Sequence, residues 1–195
     1  MRSSDLHKRE LIDVVNENGI KTGHIRTRSQ IHENGDWHRI AMICIVNSKN
    51  KILLQRRSNY VNKYPGLWDL SVASHVQSGM DSIGTAVKET NEEIGLQIEY
   101  EAKVKDFRFL TSFRNSHVYE SLIENQFYDF FILRKSFPVS KLRFNDDEVQ
   151  DAKWVDYTEI MQLLKERKLH PRTEWIEEVF NYINLCNFKC YSNLT

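Results

Sequence analysis

The segment from Asp81 to Gly95 constrains this chain more than any other. Ile83, Ala86, Val87, Thr90 and Ile94 recur at three- and four-residue spacing, which is the stripe of an amphipathic helix. Asp81 or Ser82 can accept from the free amides of the first turn, and Gly95 sits where a left-handed C-terminal cap belongs. The flanking sequence reads mainly as strands. Arg39–Val46 (RIAMICIV) and Lys51–Arg57 (KILLQRR) surround Asn47-Ser48-Lys49-Asn50, a composition suited to a tight turn between paired strands. Leu11–Val15 and Ile20–Ile25 form a smaller hairpin ahead of them, around an Asn/Gly turn. Tyr64-Pro65-Gly66-Leu67-Trp68 breaks the pattern, and Asp69–Ala73 regains β character. Further strands are read at Gln97–Val104, Phe107–Phe113, Phe127–Leu133 and Asp151–Val155. A helix opens at Thr158, and another is expected from about Thr173 to about Cys186. Many strands with few helices imply an α+β sandwich. A single domain over 1–195 is expected, with its core at about 10–164 and a C-terminal helical extension at about 165–195.

Lys plus Arg and Asp plus Glu each number 27, so no global field draws the chain toward a nucleic-acid polymer or an anionic membrane. Any phosphate recognition must therefore be local. Cys44, Cys186 and Cys190 are odd in number and lack paired CxxC spacing, which excludes a disulfide framework and a structural zinc site of that kind. With no apolar run approaching the ~18 residues of a membrane span, a soluble cytoplasmic protein is expected.

Glu89, Glu92 and Glu93 are spaced to project from roughly one side of the first helix, away from Ile83, Val87 and Ile94. Crowded carboxylates repel, and hard cations such as Mg²⁺ or Mn²⁺ take such oxygen ligands. The plain alternative is a solvated acidic face.

The stretch from Ser74 to Leu96 resembles the signature of the Nudix family, in which Gly, five residues, Glu and seven residues precede Arg-Glu-apolar-any-Glu-Glu-any-Gly-apolar. Glu89, Glu92, Glu93, Gly95 and Leu96 match in order and spacing; Ser74, Met80, Lys88 and Thr90 depart from the pattern. Lys88 keeps the charge of the usual Arg without its planar fork. Beyond this box, HRIAMICIVNSKNKILLQRRS and YPGLWDLSVASHV look like the subgroup related to isopentenyl diphosphate isomerases, including its Pro-Gly-x-Trp loop at Pro65–Trp68.

The resemblance implies a Nudix-type α/β/α sandwich with a mixed sheet, and attack by water on a phosphorus of a small-molecule diphosphate. Glu89, Glu92 and Glu93 would hold Mg²⁺ or Mn²⁺, Glu92 or Glu93 would act as base, and Glu148 on a late loop is a second candidate. Arg56 and Arg57 end a strand and point to opposite faces, so at most one should reach a diphosphate. The isomerases use a cysteine where this chain has Ala73, and Cys44 in an apolar strand is no substitute. Their metal ligands have counterparts in His32, His38, His75, Asp146 and Glu148, which would hold a transition metal if these segments converge. A catalytically weakened diphosphate-binding protein and an isomerase are the alternative functions; a homodimer is left open.

Overall fold

The computed structural model describes residues 9–96, 106–119, 122–144, 148–173 and 175–191, with side chains on the last helix described through 183. The strand expected at Gln97–Val104 and the residue Asp146 lie outside this set.

Strands β1 (Leu11–Val15) and β2 (Lys21–Thr27) form a separate antiparallel ribbon, its turn closed by the Asn16 side chain accepting from the amides of Asn18 and Ile20. Helix α1 (Arg28–Asn34) follows at once. It was not anticipated, because seven residues are too few to display a helical stripe. Its local signal was nonetheless present: Thr27 and Gln30 form a reciprocal capping box.

The main sheet contains β3 (His38–Val46), β4 (Ile52–Arg57), β5 (Trp68–Asp69), β6 (Val72–His75), β7 (Phe107–Tyr119), β8 (Leu122–Arg134) and β9 (Val149–Val155). Its order is β5-β4-β3-β8-β7, with β6 also pairing with β3 and β9 with β4. The β3–β8 pair is parallel and runs from His38 opposite Gln126 to Val46 opposite Arg134; the other pairs are antiparallel, so the sheet is mixed. After Val46 and Ile52, β3 and β4 diverge. Ser71 bridges the opening, its hydroxyl donating to Leu53 O at 2.6 Å and accepting from Ile45 N at 2.9 Å. The single strand expected at Asp69–Ala73 is consequently two, since the chain leaves β4 at Asp69 and joins β3 at Val72. Strands β7 and β8 each run to 13 residues, well past the apolar runs that marked them. Their outer halves, such as Arg114-Asn115-Ser116-His117, are polar and carry no strand signal of their own.

Alternation along β3 gives the sheet two buried faces. Ile40, Met42, Cys44 and Val46 pack with Tyr128, Phe130 and Ile132 against α3 (Tyr157–Lys165) and α4 (Trp175–Tyr191). Ala41, Ile43 and Ile45 pack with Leu53 and Phe131 against Ala86, Val87 and Ile94 of α2 (Ser82–Ile94). The result is the expected α/β/α sandwich. Asp81 caps α2 by accepting from Gly84 N at 2.8 Å, and Gly95 closes it with φ of +66°. A Cβ on Gly95 would stand 2.6 Å from Arg143 O, so glycine is required here by both conformation and space. Helix α3 is capped by Asp156, with Glu159 completing a capping box, rather than opening at Thr158. No helix among the described residues is long and apolar enough to cross a membrane.

Candidate active site

At 100° per residue, the apolar stripe of α2 leaves Glu89 and Glu93 on its flank and Glu92 opposite it. The three glutamates therefore do not share one exposed side. Glu89 and Glu93 are each 7% exposed, whereas the Glu92 side chain is 57% exposed. Glu93 accepts from Gln55 Nε2 of β4 at 3.2 Å, which places it against the α2 face of the sheet. Burial pushes its carboxyl well above the ordinary range, and the charges of Glu148 and Glu89 push the same way against Gln55 and Arg57. Burial also raises Glu89, opposed by Lys88, whose Nζ stands 2.8 Å from Glu89 and 3.1 Å from Glu92. Buried acids that repel one another and offer only carboxylate oxygens fit a hard divalent cation such as Mg²⁺ or Mn²⁺.

The remaining box residues have other surroundings. Met80 packs against the α2-side cluster just ahead of the helix, about three helical turns from Glu93. Ser74 pairs with Ala41 in the sheet. Arg56 is exposed and donates to Gly66 O at 3.0 Å. Arg57 donates through Nε and Nη2 to Lys63 O, and its charge acts on Glu93. The Arg57 guanidinium is also paired with buried Asp69, its Nη1 3.7 Å from Oδ2.

A second constellation lies on the opposite face of the sheet. His38 opens β3, His75 ends β6 opposite Ile40, and His32 comes from α1. All three are buried, with ring centroids 5.2 Å apart in each pairing and coordinating atoms all within 4.8 Å of one another. The Nε2 atoms of His32 and His75 are 3.2 Å apart. His38 Nδ1 stands 3.0 Å from Asp36 O and donates to it, leaving Nε2 toward Gln126. His32 Nδ1 is buried without a hydrogen-bond partner, 3.6 Å from Glu124 Oε1. Burial holds His38 at about 4 and His32 at about 3, and holds His75 well below its ordinary value. Neutral, converging imidazoles with an orphaned buried nitrogen fit a borderline transition metal.

Among the described residues, the acid beside these histidines is Glu124. The charge of Glu148 acts on Glu93, and Asp146 lies outside the described residues. Burial pushes Glu124 up, but its ion pair with Lys63 brings it below the ordinary carboxylate value. Glu124 was missed because it lies in the polar end of β8. Once that strand is extended, Glu124, Gln126 and Tyr128 alternate onto the face of His38.

The neutral histidines carry a pH dependence. Below 6.5 the unfolded chain protonates its imidazoles, while folded His38 resists protonation down to about 4. Stability of the metal-free protein should therefore fall as pH drops from about 6.5 through 4, by roughly 3 kcal/mol from His38 alone. Urea midpoints at pH 7 and pH 5 measure this, and His38→Asn should shrink the difference. An unchanged difference would remove His38 from the account.

Ala73 lies two residues before His75 on the same sheet face and packs against the α4-side cluster. Cys44 is fully buried, and burial pushes its thiol above the ordinary range. Neither supplies an exchangeable proton near the histidines.

Residues 36–178 match the NUDIX domain model. The chain is 32% identical over 158 residues to Nudix hydrolase 3 of Arabidopsis thaliana, covering 80% of this chain but only 20% of that protein's length. It is 30% identical over 174 residues to an isopentenyl-diphosphate Delta-isomerase of Aromatoleum aromaticum, covering 89% of this chain and 92% of the relative. The fold matches the crystal structure of DR0079 from Deinococcus radiodurans with a TM-score of 0.68 at 22% identity, over 88% of this chain and 98% of the other. The chain belongs to the Nudix family.

Proposed function

We propose that the protein is a cytoplasmic, metal-dependent pyrophosphohydrolase that cleaves the diphosphate linkage of a nucleoside diphosphate-type or related small molecule. The observation that carries this reading is the pair of buried acids Glu89 and Glu93, both raised by burial, with the charge of Glu148 acting on Glu93. Such a cluster is costly without a cation and well suited to hold one. Glu89 and Glu93 would hold Mg²⁺ or Mn²⁺ from the buried side, with Glu92 at the rim. When bound, the cation neutralises phosphate oxygens and acidifies water. Glu148, whose charge acts on Glu93, would be the base that takes the proton. Arg57, whose charge acts on Glu93, would steady the anionic group. His32, His38 and His75 form a separate transition-metal site, supported by their neutral, converging rings.

The competing reading is a diphosphate-binding protein without turnover, favoured by the departures at Ser74, Met80 and Lys88. Nucleoside diphosphates, dinucleotide polyphosphates and prenyl diphosphates, each with Mg²⁺ or Mn²⁺, separate the two. Metal-dependent hydrolysis of at least one class is expected. Calorimetric binding without product from any of them would overturn the enzyme assignment.

A further inference from the structure

The side chain of Lys63 reaches the histidine cluster from the loop between β4 and β5. Its ammonium is paired with Glu124, whose carboxylate stands 3.6 Å from the orphaned Nδ1 of His32. Its charge also acts on His32, His38 and His75, so it lies within electrostatic reach of the whole cluster. The backbone around it is held firmly. Lys63 O accepts from Arg57 Nε at 3.1 Å and Nη2 at 3.0 Å, and Gly66 O accepts from Arg56. Tyr64 adopts a left-handed φ of +52° and sets its ring against His170, with centroids 4.4 Å apart.

We propose that Lys63 is a built-in counter-cation of this site, which competes with a divalent transition metal for Glu124 and sets the affinity of the histidines for that metal. This rests on reading His32, His38 and His75 as a metal site. A divalent ion among the three imidazoles would stand beside the ammonium in surroundings that screen charge poorly, so the two cations exclude each other. The lysine stem is long and its side chain is 26% exposed. It can withdraw to solvent while the anchored backbone stays in place. Metal entry then frees Glu124 from the ammonium and gives the orphaned His32 nitrogen a partner.

The test is Co²⁺ titration of the full chain after chelator treatment, followed by the visible absorption of nitrogen-ligated cobalt. Signal lost in His75→Ala defines this site, which separates it from cobalt held by the α2 carboxylates. Lys63→Met should bind Co²⁺ tighter by about tenfold or more, because the competing charge is gone. Lys63→Arg keeps the charge and should bind like the unaltered protein. Equal or weaker binding by Lys63→Met, with the His75-dependent signal intact, overturns the role of Lys63 alone. No His75-dependent signal in any variant overturns the metal site and the proposal with it, and neither result bears on hydrolysis at the α2 carboxylates.

Discussion

Glu93→Gln should abolish most metal-dependent hydrolysis and, in the same protein, raise the thermal stability of the metal-free state at neutral pH. Both effects follow from one placement: a carboxyl buried against the sheet, bonded to Gln55 and facing the charges of Glu148 and Glu89. With a cation bound, that carboxylate is a ligand, and its loss should lower kcat/KM by about 10²–10³-fold. Without a cation it is a buried charge with little compensation. In the unfolded chain it ionises near 4.5, while the folded state holds its proton to higher pH. Stability therefore falls as pH rises from 4.5 through the raised value of Glu93. The amide does not titrate, so the variant should melt above the unaltered protein at pH 7.5 in chelator, and the advantage should vanish near pH 4. Added Mg²⁺ or Mn²⁺ should stabilise the unaltered protein more than the variant. Unaltered turnover at saturating metal would remove the active site from α2.

Isomerisation of isopentenyl diphosphate should be absent, although an isomerase is among the relatives and the three histidines converge. Proton addition to an unactivated alkene needs an acid placed on one face of the double bond and a base on the other. Ala73 occupies the expected position of one partner, and a methyl group exchanges no proton. Cys44 cannot replace it, because β3 buries the thiol completely within the apolar core. In deuterated water with Mg²⁺ or Mn²⁺, the alkene should show neither exchange nor conversion to dimethylallyl diphosphate. Hydrolysis of some diphosphate should be measurable under those same metal conditions. Metal-dependent exchange above background would overturn the hydrolase reading and would require another acid on this face.

What the residues disclosed on their own was local. The stripe and caps of α2 depend on side chains within a few positions of one another, so Asp81, Ile83 to Ile94 and Gly95 declared that helix unaided. The β3–β4 turn is similarly self-contained, with the Asn47 side chain accepting from the amides of Lys49 and Lys51. The box spacing likewise identified the family, since it records which residues occur in order and needs no contact between them.

Burial and convergence were decided elsewhere. The helical pattern placed three glutamates near one another, but only the packing of α2 on β3 and β6, with Gln55 of β4 against Glu93, buried Glu89 and Glu93 while leaving Glu92 in solvent. His38 meets Gln126 across 88 positions because β3 and β8 are parallel, and His32 meets His75 across 43 because β6 enters the opening between β3 and β4. The same strand geometry brings Glu124 to the histidines, while the charge of Glu148 acts on Glu93. Sequence alone thus determined α2, the β3–β4 turn and the family, through residues that act on their immediate neighbours or occur in a set order. Tertiary structure alone decided which charges lose water and which ligands meet, because desolvation and coordination depend on distant segments brought together by sheet register.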